Sequence, residues 1–206
     1  MDTTNVFSKN LATYISSGVR TIVNKGGTRS SKTWSILQLL YIIARESKIP
    51  RTISVVSETM PHLKRGCIKD FRKMLELDGL WDDNAWNATD FKYRVGQSTI
   101  EFFSADTPGK VTGPAREILY INECINVPFD IYRQLSSRTG EKIILDYNPL
   151  YEFWVDSKVL PREDTVLIHS TYKDNDMLPA AQIAEIEYQG SIDDNYYRVM
   201  ILGETG

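Results

Sequence analysis

Short apolar segments alternate along the chain with longer segments whose apolar residues recur every three to four positions. The short segments have the length and β-branched composition of buried strands and lie at residues 21–23, 52–57, 118–121, 142–146 and 165–169. Amphipathic helices are predicted between and after them, at residues 32–44, 63–75, 128–137, 152–160, 179–188 and 193–202. Apolar strands separated by helices predict an α/β fold with a mainly parallel central sheet and helices on both faces.

One predicted element departs from this alternation. Residues 91–95 and 99–103 have the pattern of strands and are separated by Gly96-Gln97-Ser98. This predicts a β-hairpin inserted among the alternating strands and helices. No repeat and no Pro-, Gly- or Ser-rich linker divides the sequence. We therefore expect residues 1–206 to form a single domain.

Composition narrows the class of protein. The chain has 206 residues, a formal charge of −3, 42% hydrophobic and 25% charged residues, which fits a globular protein and excludes disordered and fibrous classes. Two cysteines and two histidines are too few for a disulfide framework or a zinc motif. The N-terminus lacks signal-peptide features and residues 34–44, the most apolar stretch, contain polar positions, so we expect a cytoplasmic protein without a membrane span. The acidic balance confines any nucleic-acid contact to local patches.

The segment between the first predicted strand and helix carries a candidate phosphate-binding loop. It reads Gly26-Gly27-Thr28-Arg29-Ser30-Ser31-Lys32-Thr33, which is G-x-x-x-x-S-K-T with Ser31 where the usual motif has a glycine. Backbone N–H groups of such a loop converge on phosphate, and the helix dipole adds to the attraction. Lys32 would reach the β- and γ-phosphates, and the Thr33 hydroxyl would ligate Mg²⁺. The structural alternative is a glycine turn with a solvated lysine at the helix start.

A second candidate lies at the carboxyl end of the predicted strand 118–121. Asn122 and Glu123 follow this strand, and in a parallel sheet that end faces the nucleotide. Glu123 suits the role of the carboxylate that deprotonates water, and Asn122 would accept a hydrogen bond from metal-bound water without supplying charge. Glu123 in a solvated loop is the structural alternative.

The combination favours ATP hydrolysis coupled to motion over other P-loop chemistry. No N-K-x-D guanine motif occurs in the sequence, which argues against a GTPase. A small-molecule kinase has less use for a water-activating glutamate. The fold class expected is therefore a P-loop NTPase of the RecA/ASCE-like type.

Five segments, in order, resemble the ATPase domain of tailed-bacteriophage terminase large subunits. They are residues 26–33, 56–66, 121–123, 145–149 and 169–175, and the similarity runs from about residue 7 to the C-terminus. The variants at Ser31 and Asn122 resemble those of one branch of that family. The resemblance implies an ATP- and Mg²⁺-dependent motor that pumps double-stranded viral DNA through a portal into a procapsid.

The resemblance also implies roles for further residues. Arg29 matches a catalytic arginine inside the phosphate loop, and Asn148 in the segment 146–149 matches a residue that senses the γ-phosphate. The family acts as a ring in which a neighbour supplies a cation, for which Lys110, Arg116 and Arg138 are candidates. Adenine contacts are expected from residues 6–10. The structural alternative to a coupling role for residues 146–149 is a plain turn at the end of a strand.

DNA contact is expected from one basic helix face. Arg65, Lys69, Arg72 and Lys73 recur at helical spacing opposite an apolar stripe, although a solvated helix face fits the same pattern. The implied partners are DNA, a portal protein, a small terminase subunit and further copies of the chain in a ring, with a monomer expected in isolation and the host cytoplasm as location.

The nuclease domain of full-length family members has no counterpart in these 206 residues, so no DNA cleavage is expected from them. Two other functions stay open at this point. One is a cellular P-loop helicase or repair ATPase, which would not bind a portal. The other is a nucleotide-binding regulatory module without turnover, in which Asn122 would reflect lost metal chemistry.

Overall fold

An eight-stranded sheet lies at the centre of the protein in the computed structural model, which describes residues 1–206. The strands are β1 (Thr21–Gly26), β2 (Thr52–Ser57), β3 (Trp86–Asn87), β4 (Lys92–Val95), β5 (Ser98–Ser104), β6 (Arg116–Ile121), β7 (Thr139–Tyr147) and β8 (Thr165–Ser170). Their order across the sheet is β3-β4-β5-β2-β6-β7-β1-β8. From β5 to β8 all neighbours are parallel, and the pairs β3–β4 and β4–β5 are antiparallel, so that only β4 runs against the other strands. The predicted mainly parallel sheet is confirmed.

Helices cover both faces of this sheet. The α-helices are α1 (Asn5–Ile15), α2 (Lys32–Glu46), α3 (Met60–Leu63), α4 (Lys69–Leu77), α5 (Pro108–Val111), α6 (Phe129–Ser137), α7 (Ala180–Ile192) and α8 (Asp194–Tyr196). Single π-helical turns occupy Lys64–Ile68, Val155–Val159 and Tyr197–Ile201, and 3₁₀ turns occupy Cys124–Asn126 and Tyr172–Asp174. The first π turn joins α3 to α4 without a break in the helical path.

Two hydrophobic clusters hold the helices to the sheet. Alternate residues of each strand point to opposite faces. On one face Ile22, Ile53 and Ile144 pack with residues of α1, α2 and α4. On the other face Val23 and Leu145 pack with residues of α6 and of the turn Val155–Val159. Each central strand is thus buried on both sides, which explains its continuous apolar sequence.

The strand order determines where the functional side chains meet. β7 lies between β1 and β6, and the register pairs Asn24 with Asp146 and Ile121 with Leu145. The loop after β1 and the residues after β6 and β7 therefore meet at one edge of the sheet, the edge formed by the carboxyl ends of the strands. Residues that precede these strands lie at the opposite edge.

Three elements differ from the sequence-based expectations. Helix α1 was not predicted, because the buried stripe of Val6 and Phe7 continues through Asn10, a polar residue that is also fully buried. Residues 152–160 form one π turn rather than a regular helix. The predicted hairpin exists, with Gly96 at φ +57° in its turn, but its second strand β5 pairs with β2 and so extends the main sheet.

Candidate nucleotide-binding site

The predicted phosphate-binding loop connects the end of β1 to the first turn of α2. Two of its non-glycine residues have left-handed backbones, Arg29 at φ 56° and Ser31 at φ 71°. This conformation costs an ordinary residue about 1–2 kcal/mol, which explains why glycine is usual at the position of Ser31. The Ser31 hydroxyl offsets that cost through a 2.6 Å hydrogen bond with the hydroxyl of Thr4. The serine variant is thus compatible with the loop geometry.

The Lys32 side chain lies inside this loop. Its Nζ donates to the carbonyl oxygens of Gly26 (3.2 Å) and Gly27 (2.8 Å), to Oγ of Ser30 (3.2 Å) and to Oδ1 of Asn148 (2.9 Å). No carboxylate lies within ion-pair distance of this ammonium. A charge held only by neutral oxygens favours an arriving anion.

Burial governs the charge of Lys32. Only 8% of the residue is exposed, and this burial lowers the pKa of its ammonium to about 8, although Asp146 and Glu123 oppose the shift. Lys32 therefore remains mainly protonated at pH 7. Phosphate oxygens that approach Nζ would raise this pKa again, because they stabilise the charged form.

Two residues that are distant in sequence, Ser170 and Met200, contact the backbone of the loop. The Thr28 N–H donates to the carbonyl of Met200 (2.7 Å), and the Gly27 N–H donates to that of Ser170 (3.1 Å). A Cβ atom at Gly27 would overlap the Met200 carbonyl, so this close approach requires glycine. The Asn148 amide also contacts the Met200 sulfur at 3.8 Å. The loop is thus held from outside by residues distant in sequence.

A buried polar cluster lies beside Thr33. The Asp146 carboxylate, 2% exposed at the end of β7, accepts hydrogen bonds from the Thr33 hydroxyl (3.0 Å) and the Tyr120 hydroxyl (3.0 Å) on Oδ2. Its Oδ1 accepts from the backbone N–H of Glu123 at 2.7 Å. Burial raises the pKa of Asp146, and the charge of Lys32 opposes that rise. The hydroxyl expected to bind Mg²⁺ is therefore next to an acidic group on β7.

The side chain of Asn122 has a different orientation from the one expected from the sequence. Its amide nitrogen lies 3.2 Å from Oδ1 of Asp146 and 3.3 Å from the Thr33 hydroxyl, and its carbonyl oxygen accepts from Ser57 at 3.3 Å. An ionised carboxylate only accepts hydrogen bonds, so the NH₂ group must face Asp146. The expected carbonyl directed toward metal-bound water is not observed, because that oxygen is turned toward Ser57. In this structure Asn122 orients Asp146 instead.

Glu123 occupies the mouth of the same cluster. Its backbone is left-handed at φ 50°, and its side chain is half-exposed. Oε2 lies 3.0 Å from Nε2 of His62, a residue of α3 that follows β2. Burial raises the pKa of the Glu123 carboxyl and Asp146 adds to the rise, whereas His62 and Lys32 oppose it. Sequence reasoning missed this histidine partner, for which the only signal was its position just after a strand end.

The remaining loop and strand-end residues can also be located. Arg29 is exposed at the tip of the loop, and its carbonyl accepts a hydrogen bond from Asn175 at 3.0 Å. Asn148 accepts a hydrogen bond from Lys32, and its γ-phosphate-sensing role stays a prediction. In the segment 6–10, Val6 is fully buried and Asn10 forms a reciprocal amide pair with Asn24, whereas Ser8 is exposed, and adenine contact through this segment stays a prediction.

Two of the three candidate trans-acting cations lie far from the loop of their own subunit. Arg116 begins β6 and Arg138 precedes β7, so both lie at the edge of the sheet opposite the loop. Arg116 is also 2% exposed, with its guanidinium bonded to Ser54 and to backbone carbonyls. Burial lowers the pKa of that guanidinium. Lys110, which is exposed in α5 beyond the carboxyl end of β5, remains a prediction.

The predicted basic face is exposed on the helical segment that contains α4. Arg65, Lys69 and Lys73 form no ion pair, whereas Arg72 pairs with Glu76 at 2.7 Å. The charges of Lys69, Lys73 and Arg29 all act on the half-buried Asp70 carboxyl. The basic face therefore borders the loop, and DNA contact through it stays a prediction.

The donor atoms of the cluster fit a magnesium ion. Mg²⁺ prefers oxygen ligands and is usually bound in proteins through hydroxyl or carboxylate oxygens, waters and substrate phosphates. Thr33 and Asp146 supply such oxygens beside the phosphate loop. No group of three or more His, Cys, Asp or Glu residues forms a metal cage on its own. Any Mg²⁺ would therefore depend on phosphate oxygens for its remaining ligands.

A family model described as phage terminase large subunit matches residues 19–204. The chain belongs to this family. The PBSX phage terminase large subunit of Bacillus subtilis (strain 168) is 23% identical over 214 residues, which cover 88% of this chain and 48% of the relative. The terminase-family chain thus spans about half the length of the curated relative that it matches.

Solved structures give the same fold. A large terminase from a thermophilic bacteriophage, in complex with ADP, has a TM-score of 0.81 at 20% identity, covering 98% of this chain and 53% of that one. The large terminase ATPase domain of Thermus phage P74-26 has a TM-score of 0.69 at 15% identity, covering 100% of this chain and 94% of that one. The predicted P-loop fold is confirmed.

The longest helix of this terminase-family chain, α2, has 15 residues, and none of its helices combines the length and apolarity needed to cross a bilayer.

Proposed function

We propose that this chain is the ATPase motor part of a terminase large subunit, which couples ATP hydrolysis to the movement of double-stranded viral DNA. The observation that carries the proposal is the position of Lys32. Its buried ammonium is bound by the loop and by Asn148, the residue that follows β7, and has no carboxylate partner. Family membership supports the same function, and the thermophilic-phage large terminase with the same fold has been solved with ADP and with ATP-gamma-S.

Nucleotide binding would use the loop of residues 26–33. Phosphate oxygens would replace the carbonyl oxygens of Gly26 and Gly27, which are neutral acceptors, as the hydrogen-bond partners of Lys32 Nζ. The amide of Asn148 would then be released from Lys32 and free to contact the terminal phosphate. This exchange of partners would make Asn148 responsive to whether the γ-phosphate is present.

A bound Mg²⁺ would neutralise developing charge on the phosphates, and Thr33 is the residue that would hold it. Glu123 would accept the proton of the attacking water. Its side chain is half-exposed and can turn, because only His62 contacts the carboxylate. Arg29, exposed at the loop tip, would act on the phosphates from outside the loop. In this scheme each catalytic residue lies at the carboxyl edge of the sheet.

Assembly into a ring on a portal protein, with a small terminase subunit and DNA as further partners, is part of the proposal. It places the chain in the host cytoplasm during packaging. Lys110 and Arg138 are the remaining candidates for a cation supplied to a neighbour, since Arg116 is buried. A cation of this kind is worth about 10³ to 10⁵ in rate. The isolated chain is accordingly expected to be a slow ATPase.

Phosphate release from ATP, measured with Mg²⁺ or with EDTA over a range of protein concentrations, tests the proposal. We expect a specific activity that rises with protein concentration and is lost in Lys32→Ala. The matched control is Lys48→Ala, which removes a lysine in the connection between α2 and β2 at the opposite edge of the sheet. Activity unchanged in Lys32→Ala would refute the assignment. A high rate independent of concentration would refute the part that requires a neighbour.

A further inference from the structure

Asp146 is a buried carboxylate without a cationic partner. It is 2% exposed, and no lysine, arginine or histidine forms an ion pair with it. Leaving a charge buried in this way is unfavourable unless hydrogen bonds and a counter-charge compensate it. Hydrogen bonds are present, but the nearest counter-charge, that of Lys32, acts from beyond ion-pair distance.

Every hydrogen bond to Asp146 comes from the candidate nucleotide site. Thr33 and Tyr120 donate their hydroxyls to Oδ2, each at 3.0 Å, and the Glu123 N–H donates to Oδ1 at 2.7 Å. Asn122 adds its amide at 3.2 Å from Oδ1. The carboxylate is therefore oriented by the phosphate loop and by the strand end that carries the proposed base. A purely structural aspartate of β7 would not need these particular donors.

The hydrogen bonds around Thr33 also determine which of its atoms can contact a cation. The Thr33 hydroxyl donates its proton to Asp146, and its oxygen accepts one hydrogen bond, from the Asn122 amide at 3.3 Å, so that one lone pair remains available to a cation. Asn122 offers that cation no oxygen, since its carbonyl is directed to Ser57 and its NH₂ group faces both Asp146 and the Thr33 hydroxyl. The aspartate that P-loop ATPases usually place at the position of Asn122 has a counterpart in this chain near the end of β7.

We infer that Asp146 is the carboxylate that stabilises the nucleotide-bound Mg²⁺, and that Asn122 positions it. The inference rests on the proposed function, because it requires a nucleotide in the loop. It assigns Asp146 an electrostatic role in addition to the coupling role that the resemblance gave to residues 146–149. The regulatory alternative, in which Asn122 marks lost metal chemistry, is then unnecessary, because the charge has moved to the neighbouring strand.

ADP affinity with and without Mg²⁺ tests this without measuring turnover. The dissociation constant of ADP is determined by calorimetry in EDTA and in saturating Mg²⁺ for the full 206-residue chain, for Asp146→Asn and for Asp130→Asn. Asp130 lies on α6 with an 82% exposed side chain, so it controls for the loss of one acidic group. Mn²⁺ binding to the ADP complex, followed by electron paramagnetic resonance, gives the metal affinity directly.

We expect Asp146→Asn to weaken Mn²⁺ binding about 10- to 100-fold, the range found when a group that orients a metal ligand is lost. ADP affinity in EDTA should stay the same or tighten, because a negative charge near the phosphates is removed. Asp130→Asn should match the wild type in both measurements. Metal binding that is unchanged in Asp146→Asn would overturn the inference.

A charge exchange covers the case in which Asp146→Asn folds poorly. In the double variant Asn122→Asp with Asp146→Asn, the amide and the carboxylate swap strands, and one hydrogen bond between them is kept. Recovery of Mn²⁺ binding in this double variant would support an electrostatic role. A folded double variant that binds ADP but not Mn²⁺ would contradict it. Wild-type protein that binds no ADP would refute the proposed function, and this inference with it.

Discussion

Replacing Asn122 by aspartate should make the stability of the protein strongly dependent on pH. The amide nitrogen of Asn122 lies 3.2 Å from Oδ1 of Asp146, so the substitution brings two carboxyl groups into contact in a buried site. Two full charges at that separation repel by about 5 kcal/mol at an effective dielectric constant of about 20. The folded variant should therefore retain one proton, which then forms a hydrogen bond between the two carboxyl groups.

The size of the effect follows from that retained proton. The pKa of the pair is raised in the folded state, whereas an unfolded aspartate has an ordinary pKa of about 3.9. Above that pH the folded state binds a proton that the unfolded state has lost, so stability falls as pH rises. The loss is about 1.4 kcal/mol per pH unit, or about 4 kcal/mol at pH 7, and about 1–2 kcal/mol at pH 5.

Urea denaturation between pH 5 and pH 8, without nucleotide or metal, measures this loss. Asn122→Ala is the control, because it removes the same amide donor without adding a charge and should show a deficit of about 1–3 kcal/mol that hardly varies with pH. The raised pKa of Asp146 gives the wild type some slope of its own, so differences from wild type are compared. A pH-independent deficit in Asn122→Asp would refute the contact between the two side chains.

Four further results are expected. ADP affinity should be constant below about pH 7 and fall above about pH 8, because above the depressed pKa of Lys32 binding must take up the proton that restores its charge; heats of binding in buffers of different ionisation enthalpy measure that uptake. Glu123→Gln should bind ATP normally but hydrolyse it about 10² to 10⁴ times more slowly, and turnover within a few-fold of wild type would exclude it as the base. His62→Gln should raise the pKa of Glu123, because the imidazole contact that lowers it is lost, and so shift the acid limb of the ATPase pH profile to higher pH; an unmoved limb would contradict the contact. Ser31→Ala should lower stability by about 1 kcal/mol, because the hydroxyl bond to Thr4 is lost while the left-handed backbone stays, whereas Ser31→Gly should lie close to wild type in thermal unfolding.

The parts of the site that could be predicted from the sequence are those set by local order along the chain. Lys32 and Thr33 follow a strand and open a helix, and Glu123 ends another strand, so the parallel-sheet rule alone brings them to one edge. The same rule places Arg116 and Arg138 at the opposite edge of the sheet, because both precede parallel strands.

Other features depend on strand order and on side-chain orientation, neither of which a single sequence contains. Asp146 meets Thr33 because β7 lies beside β1, and no residue pattern states which strands are neighbours. The orientation of Asn122 is set by a carboxylate on the adjacent strand. His62 reaches Glu123 from a helix after β2, and the short Met60–Leu63 helix that positions it is followed by a π turn rather than by a regular continuation.

The position of β1 in the sheet has a consequence for biosynthesis. Both neighbours of β1, the strands β7 and β8, are encoded after residue 138, and the Thr28 N–H finds its partner only at Met200. At about 5–20 residues per second, the ribosome needs several seconds or more between making β1 and making β7. During that interval the nascent phosphate loop has no sheet to support it. We therefore expect the nucleotide site to form only after residues up to Met200 have left the ribosome, so that ATP cannot assist folding of the segment that precedes β7.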